Sequence, residues 1–486
     1  MKKRWFESAT PESVGISSDA IQKMIDSMYM TEKGREIHGF MLIRNSKVVA
    51  EGSFAPFDDG KHVIHSCSKA FTATAIGFAQ DEGLLSIDDP IVKYLGDIAP
   101  KNPAPELQRL TIRHMLTMSN GHASNVFLRP MRKGAPEKLK TAFMAEGFKC
   151  EPGTKFAYDN TNSYILSEIV RRVSGLDVIE YLRPRLFDKL GIDPFYYTDA
   201  NGMFVGYGGM RLTREEMARF GQFYMDGCVW EGERLLSKQW ASEATRCHIS
   251  TASETSTPGV DASDRVTDWN QGYAFHMWRG QHNSFRLCGA YGQICACYPD
   301  YNLILCVNSA SNQTIQEVLD AFYKNILIPI KDTLPENPEA YERLCGRTKS
   351  LALSADFSLP SPMACAVSGK TWQLENCKEI ASVSLDFSDD ACKVVMNFKN
   401  GTDFTFDAGL KEIRKTDCYD THVVSMQPQD YAVCAASGAW TEENVFCITA
   451  RMIPTHTMFY LTFTFTKEGC ELVPTMYRAN EFGTVV

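Results

Sequence analysis

The sequence predicts an α/β (α+β) domain followed by an all-β domain, a barrel or sandwich. Three observations lead there. Between Phe6 and Pro329 strand-like and helix-like patterns are mixed, and one helix within that region has no polar face. The same region ends in an antiparallel meander. Beyond Lys331 helical periodicity gives way to strand-like runs recurring roughly every 8–12 residues between turn signals.

Taken in order, His38 to Arg44 and Lys47 to Phe54 form a hairpin turned at Asn45-Ser46. Lys69 through Gln80 follows. Its residues Ala70, Phe71, Ala73, Ala75, Ile76, Gly77, Phe78 and Ala79 are apolar on every side, so this helix is buried all round. After the turn Glu151-Pro152-Gly153, a helix carries Ile165, Ile169, Val170 and Val173 on one side and stops at Gly175. Tyr273 to Arg279, Phe285 to Tyr298 and Asn302 to Asn308 are consecutive strands, and the first and last hairpins are candidates for one shared sheet. Ile315, Val318, Leu319 and Phe322 then mark a helix that can lie on it. The proline-rich stretch 335–362 is expected to be a connector. It divides a domain over 1–334 from one over 363–486, where Val383 to Phe387, Lys393 to Phe398, Phe404 to Asp407, His422 to Ser425, Val445 to Arg451 and Met458 to Phe465 are the clearest strands. So many strand edges are expected to close into a barrel or sandwich.

Composition excludes several classes of function. The 486 residues, 44% hydrophobic and 22% charged, are those of a globular protein of two or three domains. A balance of 50 basic and 59 acidic side chains, net −9, argues against nucleic acid as a partner. The start, Met1 to Ser8, lacks the roughly 7–15-residue apolar core of a signal peptide. Runs such as Leu303 to Val307 fall far short of the ~20 residues that cross a bilayer, so no membrane is expected. Sixteen cysteines without an export signal suit reduced thiols in a cytoplasmic protein. Cys295-x-Cys297 and His62-x-x-His65 lack the paired spacing of a structural zinc site, and no metal is expected.

Three short elements carry chemistry. Ser66-Cys67-Ser68-Lys69 precedes the buried helix, and a lysine three residues after a serine shares its face, so the amine reaches the hydroxyl. Burial and the positive end of the helix disfavour the ammonium, which suits Lys69 to take the serine proton, and the same helix end favours an oxyanion. A solvated helix cap is the plainer account of the motif alone. A lysine leading into so apolar a helix, however, is costly without a partner or a task. Tyr158-Asp159-Asn160 is the second element: a loop tyrosine near a lysine can act as general base, and an asparagine amide can orient a carbonyl. Tyr323-Lys324-Asn325 has the same pattern inside a helix, where packing accounts for it. Gly289-Ala290-Tyr291-Gly292-Gln293 is the third, where glycines within a strand-like run mark either a close approach to a ligand or a hairpin distortion. Cys67 is assigned to the wall of the site, and His62 and His65 are candidates to line the cleft, with a hydrogen-bonded structural role the commoner outcome for such histidines.

In this order the three elements resemble the serine β-lactamase and penicillin-binding-protein superfamily, in its esterase, D-aminopeptidase and 6-aminohexanoate-dimer hydrolase-like branch. The likeness covers about Phe6 to Pro329 and extends through His65 to Gly77, Glu82 to Pro90, Leu110 to Thr117, Gly208 to Gly221 and Gly289 to Gln293. It implies an antiparallel sheet with helices on both faces plus a mostly helical lobe. It further implies that Ser66 is the nucleophile, Lys69 its base partner, Tyr158 a second general base and Asn160 a substrate-orienting amide. Tyr291, Gly292 and Gln293 bind substrate, with the N–H groups of Ser66 and Gln293 as oxyanion donors, and no cofactor is implied. Many relatives carry Lys-x-Gly or His-x-Gly at the third element, whereas Ala290-Tyr291-Gly292 offers no cation there. The function so implied is a serine hydrolase acting through an acyl-enzyme on a small-molecule ester or amide. An acyl-binding sensor, penicillin-binding-like with slow or no turnover, is the alternative. The stretch from about Pro335 on lies outside the likeness, and three roles stay open for it: shaping the cleft, forming a homo-oligomer contact, or stabilisation alone.

Overall fold

The computed structural model describes residues 5–28, 35–127, 138–199, 201–252, 266–310, 314–358, 361–374, 377, 380–419, 431–466 and 469–477. The chain divides into two compact units, one of 1–29, 39–52 and 63–349, the other of 30–38, 53–62 and 350–486. The second unit thus takes two short pieces from early in the sequence.

The first unit is built on a seven-stranded sheet ordered Glu7–Ser8, Lys47–Ser53, Ile37–Arg44, Leu303–Ser309, Gln293–Tyr298, Phe285–Gly289, Trp278–Arg279. The early hairpin and the late meander do share it. Asn45 and Ser46 both take left-handed backbone, φ 52° and 57°, which is the twist a two-residue hairpin loop needs. Every residue of Ile37–Arg44 and of Leu303–Ser309 is buried, so both faces of the sheet centre are covered. Helix Ser68–Asp81 is buried from Ser68 through Ala79, as its lack of a polar face requires. Helix Asn160–Ser174 is capped by the Asp159 carboxylate, which accepts from Thr161 N, and ends at Gly175 with φ 77°. Tyr323 is buried just past helix Thr314–Phe322, its hydroxyl donating to Asp268 Oδ1 at 2.7 Å, which is the packing role expected of it.

Two of the expected strands are corrected. Phe285 to Tyr298 is not one strand but two, Phe285–Gly289 and Gln293–Tyr298, paired antiparallel with Gly289 opposite Gln293. The chain reverses at Ala290–Gly292, where Tyr291 and Gly292 have φ 62° and 81°. Tyr273 to Arg279 is strand only at Trp278–Arg279, because His276 with φ 55° breaks the extended run. A helix, Pro338–Lys349, occupies the stretch expected to be a connector. Asn337 caps it by accepting from Ala340 N, and Arg343 and Arg347 pair with Asp19 and Asp26 of helix Ser18–Met28.

The second unit is a nine-stranded, nearly closed, barrel-like sheet. Along Ala391–Phe398, residues Cys392, Val394, Met396 and Phe398 are buried and alternate with more exposed ones, the period of a strand with one face on a core. Lys370–Gln373, Arg414–Tyr419, Tyr431–Glu442 and Cys470–Tyr477 add strands to those expected. His422 to Ser425 lies outside the described residues. The early pieces are tied in by the buried pair Glu36 and Arg451, at 2.7 Å, and by Leu353 N donating to Ala55 O. Among the described residues no helix is long and apolar enough to cross a membrane.

Candidate active site

Ser66 lies in the 3₁₀ turn His65–Cys67 that leads into helix Ser68–Asp81, half-buried at the helix N-terminus. The turn is held in place by Cys67 N donating to Ile64 O, and His65 within it has φ 45°. Backbone forced into this region costs roughly 1–3 kcal/mol and gathers at functional sites. One helical turn on, Lys69 is 1% exposed. Its Nζ donates to Ser66 Oγ and to the Tyr207 carbonyl, each at 2.8 Å. The amine is therefore fixed against the hydroxyl by a second anchor.

Tyr158 enters from the loop before helix Asn160–Ser174. Lys69 Nζ lies 5.0 Å from its ring centroid, so the two sequence motifs meet around one amine. The Tyr158 ring stacks on Trp278 at 5.9 Å and 18°, and Tyr273 stands edge-on at 6.4 Å. Complete burial pushes the Tyr273 phenol well up, which keeps it protonated, whereas Tyr158 is only half-buried. Asn160 is the first residue of the helix, and its buried Oδ1 has no hydrogen-bond partner.

The third element is the tip of the hairpin between Phe285–Gly289 and Gln293–Tyr298, brought against the serine turn. The Tyr291 ring lies 5.1 Å from that of His65, and Cys67 Sγ points to Gln293 O at 3.6 Å. The approach is close enough that a Cβ at Gly289 would fall 2.3 Å from Ile64 O. The Gln293 side chain does not face outward. Its Nε2 donates to Ser309 O at 2.7 Å and Tyr291 O at 3.2 Å, and its Oε1 accepts from Asn308, so it braces the hairpin tip.

Several residues take other places. Arg286 carries no charge into the site: it is fully buried, with Nη1 donating to Asp268 O and Arg279 O. His62 is buried with its Nε2 2.9 Å from His38 Nδ1. Cys67 is buried, and that burial pushes its thiol well up, away from reactive thiolate. All sixteen cysteines are free thiols.

Sequence patterns missed the Tyr207 carbonyl, Trp278 and His276. Gly206-Tyr207-Gly208-Gly209 was the available signal for the first. Gly206, φ 74°, lets the loop lie where a Cβ would meet Ser167 Oγ at 2.2 Å, and Thr72 Oγ1 donates to its carbonyl. His276 is buried, bonded through Nε2 to Ser163 Oγ at 3.0 Å. Desolvation and the nearby Lys69 hold it down to about 3, hence neutral.

The chain is similar to known proteins in sequence and in fold. The 6-aminohexanoate-dimer hydrolase of Paenarthrobacter ureafaciens is 28% identical over 255 residues, 48% of this chain and 63% of that protein. Penicillin-binding protein 4 of Amycolatopsis lactamdurans is 25% identical over 245 residues, 44% of this chain and 62% of that protein. The chain thus covers less than two thirds of the length of either curated relative. Among solved structures, EstCE1, a hydrolase with promiscuous acyltransferase activity, superposes with a TM-score of 0.50 at 16% identity. That match spans 63% of this chain and 99% of EstCE1, a likeness of fold. A family model described as Beta-lactamase matches residues 27–328, more than half of the sequence, and the chain belongs to that family.

Proposed function

We propose that this protein is a serine hydrolase that forms an acyl-enzyme on small, neutral ester or amide substrates. The observation that carries the proposal is the buried Lys69 Nζ held 2.8 Å from Ser66 Oγ. Lys69 in its uncharged form takes the Ser66 proton as Oγ attacks the substrate carbonyl. The tetrahedral oxyanion forms at the N-terminus of helix Ser68–Asp81, with the N–H groups of Ser66 and Gln293 as donors. Tyr158, its ring centroid 5.0 Å from the Lys69 amine, passes a proton to the leaving group and later recovers one from the attacking water, and Lys69 returns its proton to Ser66 Oγ as the acyl group departs. Asn160, with its spare Oδ1, and Tyr291 and Gly292 at the hairpin tip orient the acyl group. A cytoplasmic location fits the sixteen free thiols.

Preference for uncharged substrates is part of the same proposal. By the family likeness, Ala290 takes the position at which many relatives carry a cation for a substrate carboxylate, and the guanidinium of Arg286 is buried against backbone carbonyls. A carboxylate gains about twice as much from a charged donor as from a neutral one, so its absence removes that selection.

The test is intact mass after incubation with activated esters, D-amino-acid amides and a β-lactam. An adduct on the Ser66 peptide that decays with steady turnover is the expected result. No adduct on that peptide overturns the proposal, and a stable adduct without turnover identifies an acyl-binding sensor instead. For a matched substrate pair, one with a free carboxylate and one methylated, the ester should react at least as fast. A tenfold preference for the free acid, about 1.4 kcal/mol, contradicts the neutral-substrate assignment.

A further inference from the structure

Behind Tyr158 lies a stack that the mechanism above does not use. Trp278 lies against the Tyr158 ring on one side, and the Arg286 guanidinium lies 5.8 Å from the Trp278 ring centroid. Arg286 also sits 4.9 Å from Trp269, and Trp269 and Tyr273 meet Trp278 edge-on at 4.8 and 5.0 Å. Phe156, two residues before Tyr158, closes another edge at 5.5 Å. Arg286 is itself locked: Nη1 is bonded to two carbonyls, and the Asp268 carboxylate lies 3.9 Å away. Asp268 accepts from Gln281, Gln316 and Tyr323. Burial alone would raise its carboxyl, but Arg286 and these bonds hold it below its ordinary value, so the pair is charged. The guanidinium thus lies over the rings of both Trp269 and Trp278, with its charge placed on their faces.

We propose that Trp278 is a positioning residue for Tyr158, its indole clamped by Arg286, Trp269 and Tyr273 so that it forms a rigid platform on which the Tyr158 ring is held beside Lys69. The physical need is plain. Tyr158 sits in a loop and is half-buried, and a phenol that exchanges protons with a leaving group and a water must keep its ring within ångströms of one place. A stack of planar rings restricts that ring in two directions. The ionisable groups in reach are the Lys69 amine in front, Arg286 and its partner Asp268 behind Trp278, and the Asp159 carboxyl next in sequence, whose burial raises it toward the neutral form. The phenol thus has the Lys69 amine on its open side and, behind the platform, a charge that is already paired.

The inference rests on Tyr158 being a general base, and the experiment separates the two. Steady-state kinetics on an activated ester are measured for Trp278→Leu, Trp278→Phe, Tyr158→Phe and the Trp278→Leu/Tyr158→Phe double variant, each normalised by active-site titration. Trp278→Leu should lower kcat about 10–100-fold with KM within about twofold, since a misplacement of about 1 Å far from the bond being broken costs that much. Trp278→Phe, which keeps a flat ring, should recover most of the loss. In the Tyr158→Phe background, Trp278→Leu should cost less than about twofold, because a residue acting through Tyr158 has nothing further to remove. Equal losses in the two backgrounds overturn the positioning role while leaving Tyr158 as base. An unimpaired Tyr158→Phe overturns the base assignment. If Trp278→Leu yields no titratable sites, the Trp278→Phe variant made with and without Tyr158→Phe decides the question by the same comparison.

Discussion

Ser66→Ala removes one half-exposed hydroxyl and leaves no sizeable cavity. It should abolish labelling by an organophosphonate probe while barely moving the thermal midpoint. Labelling that persists or moves to Cys67 contradicts the assignment. Lys69→Ala and Tyr158→Phe should each lower turnover by about 10²–10⁴, and together by far less than the product, since both serve one proton path. His276 supplies a pH prediction of a different kind. In the unfolded chain it takes up a proton below its ordinary 6.5, whereas in the fold it stays neutral down to about 3. The unfolded state therefore binds more protons across that window, and stability falls as pH drops from 6.5 toward 3. In His276→Gln the thermal midpoint should fall less steeply from pH about 6.5 to 4 than in the parent. Curves of equal slope contradict the buried neutral imidazole.

The hairpin tip and the serine turn are fitted to each other through backbone. Gly289→Ala would place a methyl 2.3 Å from Ile64 O, and neither segment can yield without moving Ser66 or Tyr291. An overpacked contact of this kind costs about 1–3 kcal/mol, and here the displacement falls on the reacting atoms. Acylation by an activated ester should slow about tenfold or more in Gly289→Ala. Gly96→Ala, where a Cβ meets nothing within 4 Å, should react at the parent rate. The same hairpin shows where patterns in sequence stop. Phe285–Gly289 and Gln293–Tyr298 are buried at every position, because both faces of that sheet are covered, so no alternation of polar and apolar residues marked the reversal; only the glycines did. Helix Pro338–Lys349 was obscured in the opposite way. Its prolines suggested a connector, yet Asn337-Pro338 is a cap and first-turn pair, with Ala340 and Leu344 one turn apart on the buried side.

At the level of the entire chain, the barrel-like unit depends on residues encoded more than three hundred positions before it. Glu36 is buried, and three of its hydrogen bonds come from the Arg451 guanidinium. Removing one partner of such a pair strands the other charge, so Arg451→Ala should cost about 3–5 kcal/mol of stability. The Glu36→Gln/Arg451→Met double variant, which leaves no lone ion, should lie much closer to the parent. Chemical denaturation followed by fluorescence measures both. A double variant as unstable as Arg451→Ala shows that shape, not charge, holds the pieces together.

The order of elements, the helix buried all round, the strand-rich end and the Ser66–Lys69 pair were legible in the amino-acid sequence, because each rests on spacing within one segment. Ser66 and Lys69 are three residues apart, and helix geometry brings them together wherever that helix forms. Tyr158 was recognisable as a loop residue before a capped helix, though its meeting with Lys69 depends on how two helices pack. Trp278, the Tyr207 carbonyl and His276 became visible only in the fold. A backbone carbonyl has no residue type to betray it, and aromatic rings in an apolar stretch look alike until their neighbours are known. The Gln293 side chain turned inward for the same reason, since its partners Ser309 and Asn308 come from the next strand over. Local periodicity governs which elements form, and long-range packing governs which side chains share a site, because a hydrogen bond or a ring stack depends on distance in space and not on separation along the chain.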